Sequence, residues 1–299
     1  MKFDLIIANP PFQDTGRRGK TPHKLWIDFT IKTFERWLKQ DGYLAQVSPS
    51  SFRSPNSKIL EIMRKLDTLT IHLDSGKFFP GVGSSFAHYI IRNRPKPKDF
   101  RTLIVDGDKS AKIELSKKVI YLPILIDAES LAVHRKVMFA DSPKLDVRWD
   151  YVTCHNILLR KSDTLSKSKT KRHRFPLLHT NAQIWWSSIQ QAFALHKKVM
   201  WSRSGYTKPF YDNGKLGATD MAYYVLVEND SRGEHLTKVL NSKLFQYVFT
   251  TAKWSGFGNE RVFRALPMIE KMDCESDNEI FNYFRLTRKE RSHVVRSLG

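Results

Sequence analysis

The sequence contains few cysteines, comparatively few acidic residues and no long apolar run. Cys154 and Cys274 are its two cysteines, and they give no indication of a zinc site or of a disulfide framework. No stretch approaches the roughly 18 apolar residues that a membrane-spanning helix needs, and the N-terminal residues lack the layout of a secretory signal. We therefore expect a folded protein that binds no metal and no membrane and lies in the cytoplasm.

The shortage of acidic residues leaves a strong positive charge. The 299 residues include 50 Lys and Arg against 30 Asp and Glu, a formal charge of +20. This balance favours a polyanionic partner, because Lys and Arg that neutralise phosphates supply much of the affinity for nucleic acids. Charge alone does not separate DNA from RNA, and a chain that is merely basic throughout would show the same balance. The length and the 41% hydrophobic content allow two domains, each with a core.

The most informative motif follows the first apolar run. Residues 3–8 predict a strand of the kind that parallel sheets bury, and two prolines end it by removing backbone donors. The Asn9 side chain and the Pro10 carbonyl can both accept hydrogen bonds from one amino group, while the Phe12 ring offers a stacking face. The alternative interpretation is a strand that ends in an ordinary proline turn.

Asn9-Pro10-Pro11-Phe12 resembles motif IV of the S-adenosylmethionine-dependent amino-methyltransferases, in particular the Asn-Pro-Pro-Tyr/Phe of N6-adenine DNA methyltransferases. The resemblance implies that a target adenine flips out of the DNA helix, that Asn9 Oδ1 and the Pro10 carbonyl hold its N6, and that Phe12 clamps the ring. Pro11 would stiffen the turn, and positioning would supply the remaining rate enhancement. Enzymes that act on RNA guanine or on protein glutamine carry the same tetrapeptide, although the positive charge weighs against glutamine.

Alternating strands and helices predict an α/β fold for residues 1–118, with a largely parallel sheet and one antiparallel edge. An amphipathic helix is expected from Leu25 to near Gln40-Asp41-Gly42. The run from Phe3 to Gly83 resembles motifs IV to VIII of restriction-modification adenine methyltransferases, which implies the second half of a Rossmann-like S-adenosylmethionine methyltransferase sheet. In that family a motif VIII aromatic residue stacks on the other face of the adenine. Phe79 aligns with it, and Phe78 is the neighbouring alternative.

The segment Phe79-Pro80-Gly81-Val82-Gly83 also fits the Phe-x-Gly-x-Gly that binds the methionine end of the cofactor. Its context disfavours that interpretation, because a strand rather than a helix is expected to follow. The resemblance therefore implies that the chain starts at motif IV, without motifs I to III, and we expect its S-adenosylmethionine site to be incomplete. Three explanations stay open: a split subunit whose partner chain carries motifs I–III, a fragment, or a degenerate copy that binds DNA without catalysis. The first strand would expose an edge and a face in isolation.

Residues 119–299 resemble the α+β target-recognition domain of the same enzymes. A strand near Val199, a loop dotted with glycine and aromatic residues, and the segment 254–267 carry this resemblance. It implies contacts with double-stranded DNA, in which basic residues meet phosphates or bases and asparagines read adenine edges. The candidates in this domain are Arg203, Lys208, Asn213, Lys215, Asn259 and Arg261.

Two further basic segments have an open interpretation. The polar loop 13–24 holds Arg17, Arg18 and Lys20, which either contact phosphates over the flipped base or are simply solvated. The tract 160–174 is rich in Lys, Arg and Ser with one acidic residue, and it is either a flexible loop or a segment that follows the DNA backbone. Trp185, Trp186 and Trp201 are expected in the core.

Overall fold

The computed structural model describes most of the chain. The described residues are 2–12, 24–79, 81, 85–150, 152–155, 158–180, 182–203, 208–252, 260–269 and 272–299, with the backbone alone for 160, 161, 260 and 261. The chain divides into two units, Met1–Arg135 and Lys136–Gly299.

The first unit is built on a six-stranded sheet with the strand order β1-β2-β4-β3-β5-β6. Its strands are β1 (Phe3–Ala8), β2 (Leu38–Pro49), β3 (Leu66–His72), β4 (Phe86–Pro95), β5 (Thr102–Asp106) and β6 (Lys109–Ile113). Its helices are α1 (Leu25–Lys32), α2 (Lys58–Lys65) and α3 (Ala128–Val137), the last of which contains the division between the units.

The sheet is mixed, and this corrects the expectation of a largely parallel sheet with one antiparallel edge. β1 pairs with β2 and β3 pairs with β5 in parallel, but β4 is antiparallel to both β2 and β3 and lies between them. The segment after β3 returns the chain directly, so β4 must run in the opposite direction. Sequence patterns do not reveal on which side of β3 such a returning strand pairs, because both sides lie within reach of a short connection.

The helix predicted from Leu25 to near Gly42 is shorter than expected. α1 ends at Lys32, a turn of π-helix spans Thr33–Trp37, and β2 already begins at Leu38. Phe29 of α1 and Trp37 of the π turn nevertheless lie together, with 5.3 Å between their ring centroids.

The core of the first unit lies between the sheet and α2. Leu44, Ile71, Ile91 and Ile104 come from four adjacent strands and are fully buried, as is Met63 of α2. α2 begins where the Ser57 side chain accepts a hydrogen bond from the Leu60 backbone N–H, which satisfies one of the free donors of the first turn.

The second unit contains two small sheets and several helices. One sheet has the order β11-β10-β13 and the other β12-β8-β9-β7. The strands are β7 (Leu165–Ser166), β8 (Phe175–Thr180), β9 (Gln183–Ser187), β10 (Lys197–Ser202), β11 (Phe210–Asn213), β12 (Gly217–Ala218) and β13 (Ala222–Leu226). The helices are α4 (Leu158–Lys161), α5 (Asp230–Leu240), α6 (Lys243–Thr251), α7 (Glu260–Phe263), α8 (Asp277–Tyr283) and α9 (Arg288–Ser297).

Aromatic residues form much of the core of this unit. Trp201 of β10 is fully buried, and its ring lies 5.7 Å from the ring of Phe263 and 6.3 Å from that of Phe249. Trp185 is also buried, as expected, whereas Trp186 is half-buried and reaches the surface. The predicted α/β fold class is confirmed as a mixed α/β architecture with parallel and antiparallel pairs. Among the described residues, no helix is long and apolar enough to cross a membrane.

Candidate functional site

Asn9-Pro10-Pro11-Phe12 lies at the edge of the sheet where β1 and β2 end. Ile7 and Ala8 pair with Ala45 and Gln46, so the motif leaves the sheet beside the last residues of β2. Pro10 is buried, whereas Asn9 is exposed and Phe12 is half-buried. The amide of Asn9 is therefore free to meet a ligand from a backbone that the two prolines fix.

The Phe86 ring contacts both Phe12 and Phe79, the two residues that are predicted to stack on a base. Phe86 is the first residue of β4, pairs with Pro49 at the end of β2, and is 3% exposed. Its ring centroid lies 5.2 Å from that of Phe12 and 4.6 Å from that of Phe79, with tilts of 33° and 35°. Phe12 and Phe79 thus meet on one buried ring, although they lie far apart in the sequence.

Sequence reasoning did not single out Phe86. It looks like any apolar residue at the start of a strand, and its role follows only from the pairing of β4 with β2. The one available signal was the position of an aromatic residue directly after the loop that carries Phe79.

The two candidates of this loop have different surroundings. Phe78 is 65% exposed, and its ring carries the Lys77 ammonium at 5.2 Å, while Lys77 is also paired with Asp74 at 2.6 Å. Phe79 is half-buried against Phe86. Of these two residues, Phe79 is the one that packs on the same ring, Phe86, as Phe12 does.

A histidine pair lies beside this aromatic group. His72 at the end of β3 stacks on His88 of β4 with 4.3 Å between ring centroids and 9° between planes. His88 is two residues after Phe86, on the same face of β4. Its Nδ1 lies 2.7 Å from Ser75 Oγ, in the turn that leads to Phe79. Burial, and then the neighbouring His72, lower the pKa of His88, while Asp74 acts in the opposite direction.

Two of the predicted DNA-contacting residues, Arg203 and Asn213, lie at opposite ends of β10. Arg203 follows the end of β10, whereas Asn213 pairs with Lys197 at its beginning. The length of β10 places these ends on the order of 17 Å apart. Lys208, Asn213 and Lys215 are exposed. Arg17, Arg18, Lys20 and Asn259 lie outside the described residues, and only the backbone of Arg261 is described.

Arg203 is held against an aromatic ring. Its guanidinium lies 5.2 Å from the centroid of the Trp149 ring, and its backbone N–H donates to the Met221 carbonyl at 2.7 Å. The Trp149 indole N–H in turn donates to the Asp220 carbonyl at 2.7 Å. Stacking orients an arginine without neutralising its charge.

A buried ion pair holds the turn that carries Asn213 and Lys215. Lys198 Nζ lies 2.6 Å from Asp212 Oδ2, and it also donates to the carbonyls of Ala194 and His196 at 2.9 Å. The Asp212 carboxylate accepts from the backbone N–H groups of the turn at 3.1–3.3 Å; these donors are Gly214, Lys215 and Leu216. The backbone of this turn is therefore fixed from inside the protein.

Comparison with known proteins gives two curated relatives, and no family model matches the chain. An uncharacterized adenine-specific methylase of Mycoplasma pneumoniae is 26% identical over 159 residues, which cover 49% of this chain and 37% of the relative. The modification methylase CviBIII of Paramecium bursaria Chlorella virus NC1A is 30% identical over 120 residues, which cover 36% and 31%. The chain is similar to adenine-specific methylases. The resemblance predicted from the sequence motifs is thereby confirmed, and the match spans about a third of each relative's length.

Solved structures of restriction-modification enzymes also resemble the chain. The Type IIL enzyme MmeI in complex with DNA has a TM-score of 0.47 and 10% identity, covering 97% of this chain and 54% of MmeI. The DrdV–DNA complex has a TM-score of 0.42 and 9% identity, covering 68% and 31%. Both TM-scores lie below 0.5, so nothing about function follows from them.

The described residues do not fit S-adenosylmethionine, the cofactor that the resemblance implies. Gly81 adopts a φ of 79°, as a turn glycine does, but the chain then enters β4 rather than a helix. In the described part of the chain, no segment between a strand and a following helix carries the paired glycines of a nucleotide-binding loop. Likewise, no group of three His, Cys, Asp or Glu side chains in this part is arranged to hold a metal ion.

Proposed function

We propose that this chain holds the target base and recognises the DNA in an enzyme that transfers a methyl group from S-adenosylmethionine to N6 of a flipped adenine in a specific DNA sequence. In this proposal residues 1–118 are the partial catalytic domain and residues 119–299 the target-recognition domain. The observation that carries it is the meeting of Phe12 and Phe79 on Phe86, beside the exposed amide of Asn9. The similarity to adenine-specific methylases supports the choice of base.

The proposed roles follow from the chemistry of an aromatic amine. The N6 lone pair of adenine is delocalised into the ring, so the nitrogen is a weak nucleophile. Hydrogen bonds from its two hydrogens to Asn9 Oδ1 and the Pro10 carbonyl raise the electron density on nitrogen. Phe12 and Phe79 stack on the faces of the base, which offsets the stacking that the base loses when it leaves the helix.

The donor is proposed to be held by a partner chain or segment that carries motifs I–III. The free edge of β1 supports this proposal, since β1 pairs only with β2 among the described residues. Leu5 and Ile7 of this strand are 54% and 79% exposed. An apolar edge strand of this kind is normally covered by another strand or chain.

DNA contacts are proposed in both domains. Arg17, Arg18 and Lys20 are proposed to contact phosphates near the flipped base. Arg203, Lys208, Lys215 and Arg261 are proposed to meet phosphates or bases, and Asn213 and Asn259 to read adenine edges. The stacked geometry of Arg203 and the fixed turn at Asn213 support two separate contact points.

The decisive experiment measures transfer of labelled methyl groups to DNA by the wild-type chain and by Asn9→Ala, each alone and with a chain that carries motifs I–III. We expect transfer by the wild type only when the cofactor half is present, and a loss of about 100-fold or more in Asn9→Ala, because a preorganised polar contact to the reacting group is removed. DNA affinity should change little. Asn278→Ala, an exposed asparagine of α8, is the matched control and should keep full activity.

Undiminished adenine methylation by Asn9→Ala would overturn the proposed mechanism. A titration of the isolated chain with S-adenosylmethionine tests the partner requirement, and stoichiometric binding would contradict it. A catalytically silent DNA-binding subunit is the outcome if DNA is bound but no combination of chains methylates it.

A further inference from the structure

The segment between β7 and β8 is the most concentrated basic surface in the described part of the second unit. Residues 167–174 read Lys-Ser-Lys-Thr-Lys-Arg-His-Arg, and all of them are exposed except the half-buried His173. We call these eight residues the basic turn. No acidic residue lies within it, and none of its residues belongs to the site described above.

The basic turn has a defined hydrogen-bonded structure. The Thr170 N–H donates to the His173 carbonyl at 3.1 Å, and the His173 N–H donates back to Thr170 Oγ1 at 3.0 Å. His173 Nε2 lies 2.6 Å from the Asp163 carbonyl, and the Arg174 N–H donates to the Ser187 carbonyl at 3.1 Å. Of the two interpretations left open by the sequence, a flexible loop and a segment that follows a backbone, this ordered arrangement favours the second.

Most of its charge is left without a carboxylate. Arg172 pairs with Asp163 at 3.0 Å. For the other basic side chains no carboxylate partner lies among the described residues; these are Lys167, Lys169, Lys171 and Arg174. Holding several like charges close together is unfavourable in the free protein, and a bound polyanion removes that repulsion.

Two of these cations rest on aromatic rings. Lys169 Nζ lies 5.3 Å from the centroid of the Trp186 ring, and the Arg174 guanidinium lies 5.2 Å from that of Phe175. Such contacts restrict the charged groups while their charge stays available to a ligand. Because Trp186 is only half-buried, one face of its ring can contact the Lys169 ammonium.

We propose that the basic turn binds the phosphate backbone of duplex DNA, as a contact surface additional to Arg203, Lys208, Asn213 and Lys215. Lysines act as point charges that suit phosphates. The two arginines of the turn are the side chains that could read guanine, but Arg172 is paired with Asp163 and Arg174 is held over Phe175. It therefore binds DNA without regard to sequence. This inference rests on the proposed function, because that function supplies DNA as the partner.

The test compares two full-length triple variants in which the same amount of charge is removed. The first carries Lys167→Gln, Lys169→Gln and Lys171→Gln. The control carries Lys109→Gln, Lys112→Gln and Lys117→Gln, three exposed lysines of the first unit. Affinity for a short random-sequence duplex is measured by fluorescence anisotropy over a range of salt concentrations, and thermal unfolding verifies that both variants fold.

We expect the slope of log affinity against log salt to fall by about 0.9 for each phosphate that the protein no longer neutralises, so by roughly 2 to 3 in the first variant and by less than about 1 in the control. Affinity at low salt should fall roughly tenfold or more, equally for unrelated sequences. Arginine at the same three positions should restore it. A slope indistinguishable from that of the control overturns the inference, as does an equal drop in binding to phosphatidylserine vesicles or a larger drop for duplex RNA.

The measurement needs no methyl donor, so it separates this inference from the proposed function. If the first variant binds DNA as the wild type does and methylation is intact, the inference fails alone. If the wild type never methylates DNA but the variant loses affinity as described, the proposed function fails alone.

Discussion

Phe79 packs on Phe86 with 4.6 Å between ring centroids, and Phe12 packs on the same ring at 5.2 Å. The two sides of the proposed base site are thereby coupled through one side chain. A change at Phe86 should therefore affect both.

We predict that Phe86→Leu lowers methyl transfer by the assembled enzyme roughly tenfold or more. Leucine keeps apolar volume but removes two aromatic pairs, each worth about 0.5–1.5 kcal/mol beyond its buried area. Steady-state kinetics with target DNA measure the effect. Phe52→Leu, which breaks the pair of Phe52 with Tyr89 in the core, is the control for weaker aromatic packing and should leave the rate largely intact. Equal decreases in the two variants would contradict a role specific to Phe86.

Acidification should destabilise the first unit through His88. Burial and His72 lower its pKa in the folded state below the ordinary value of 6.5. Just below pH 6.5 the histidine is protonated in the unfolded chain but still neutral in the folded protein. The free energy of unfolding therefore has its highest value above about pH 6.5 and decreases as the pH falls toward the folded pKa. Urea unfolding at a series of pH values measures the decrease.

His88→Phe is the matched variant, because it keeps a ring against His72 and cannot titrate. It should show a shallower loss of stability with acid than the wild type. A parallel pH dependence in both proteins would be inconsistent with this assignment. The same titration should loosen the turn around Ser75, which hydrogen exchange at Phe79 would detect.

The buried pair of Lys198 and Asp212 makes a prediction about stability. Lys198→Met leaves a buried carboxylate without its cation and should cost about 3–5 kcal/mol of unfolding free energy. Adding Asp212→Asn to that variant should recover part of the loss, since the unpaired charge disappears. The neighbouring Lys197→Met is the control, because its pair with Asp230 at 2.7 Å is exposed and is worth about 1 kcal/mol or less. Similar losses in the two single variants would count against the buried pair.

Ile7→Lys should reduce the tendency of the chain to associate. Ile7 is exposed on a strand whose other edge is unpaired among the described residues, and a lysine there opposes strand addition. Light scattering over a range of concentrations measures the effect, and Val295→Lys on the surface of α9 is the control. The same variant should weaken assembly with a chain that carries motifs I–III. Association that is insensitive to Ile7→Lys would exclude the β1 edge as the contact.

Local patterns predicted much of the first unit and less of the second. The apolar run before Asn9 became β1, and the helix expected from Leu25 became the shorter α1. Alignment to motif VIII chose Phe79, which lies with Phe12. These features depend on short stretches of sequence, in which the spacing of apolar residues and the position of prolines indicate the local structure.

What sequence could not supply depends on pairing between distant segments. The position of β4 between β2 and β3, and with it the role of Phe86 and the stack of His72 on His88, follows from register rather than from composition. The same holds for Arg203 and Asn213, which look like neighbours in one loop-rich stretch but lie at opposite ends of β10. The hydrogen bonds that order the basic turn are not visible in a run of charges either.

The central place of β4 also bears on the order of folding. Its pairing with β3 closes a short loop, whereas its pairing with β2 closes a much longer one and costs more chain entropy. The β3–β4 hairpin is thus expected to form early and to dock on β2 later. The three rings that meet at Phe86 come together only at that docking step, so a nascent chain would complete the proposed base site late, after most of the sheet has formed.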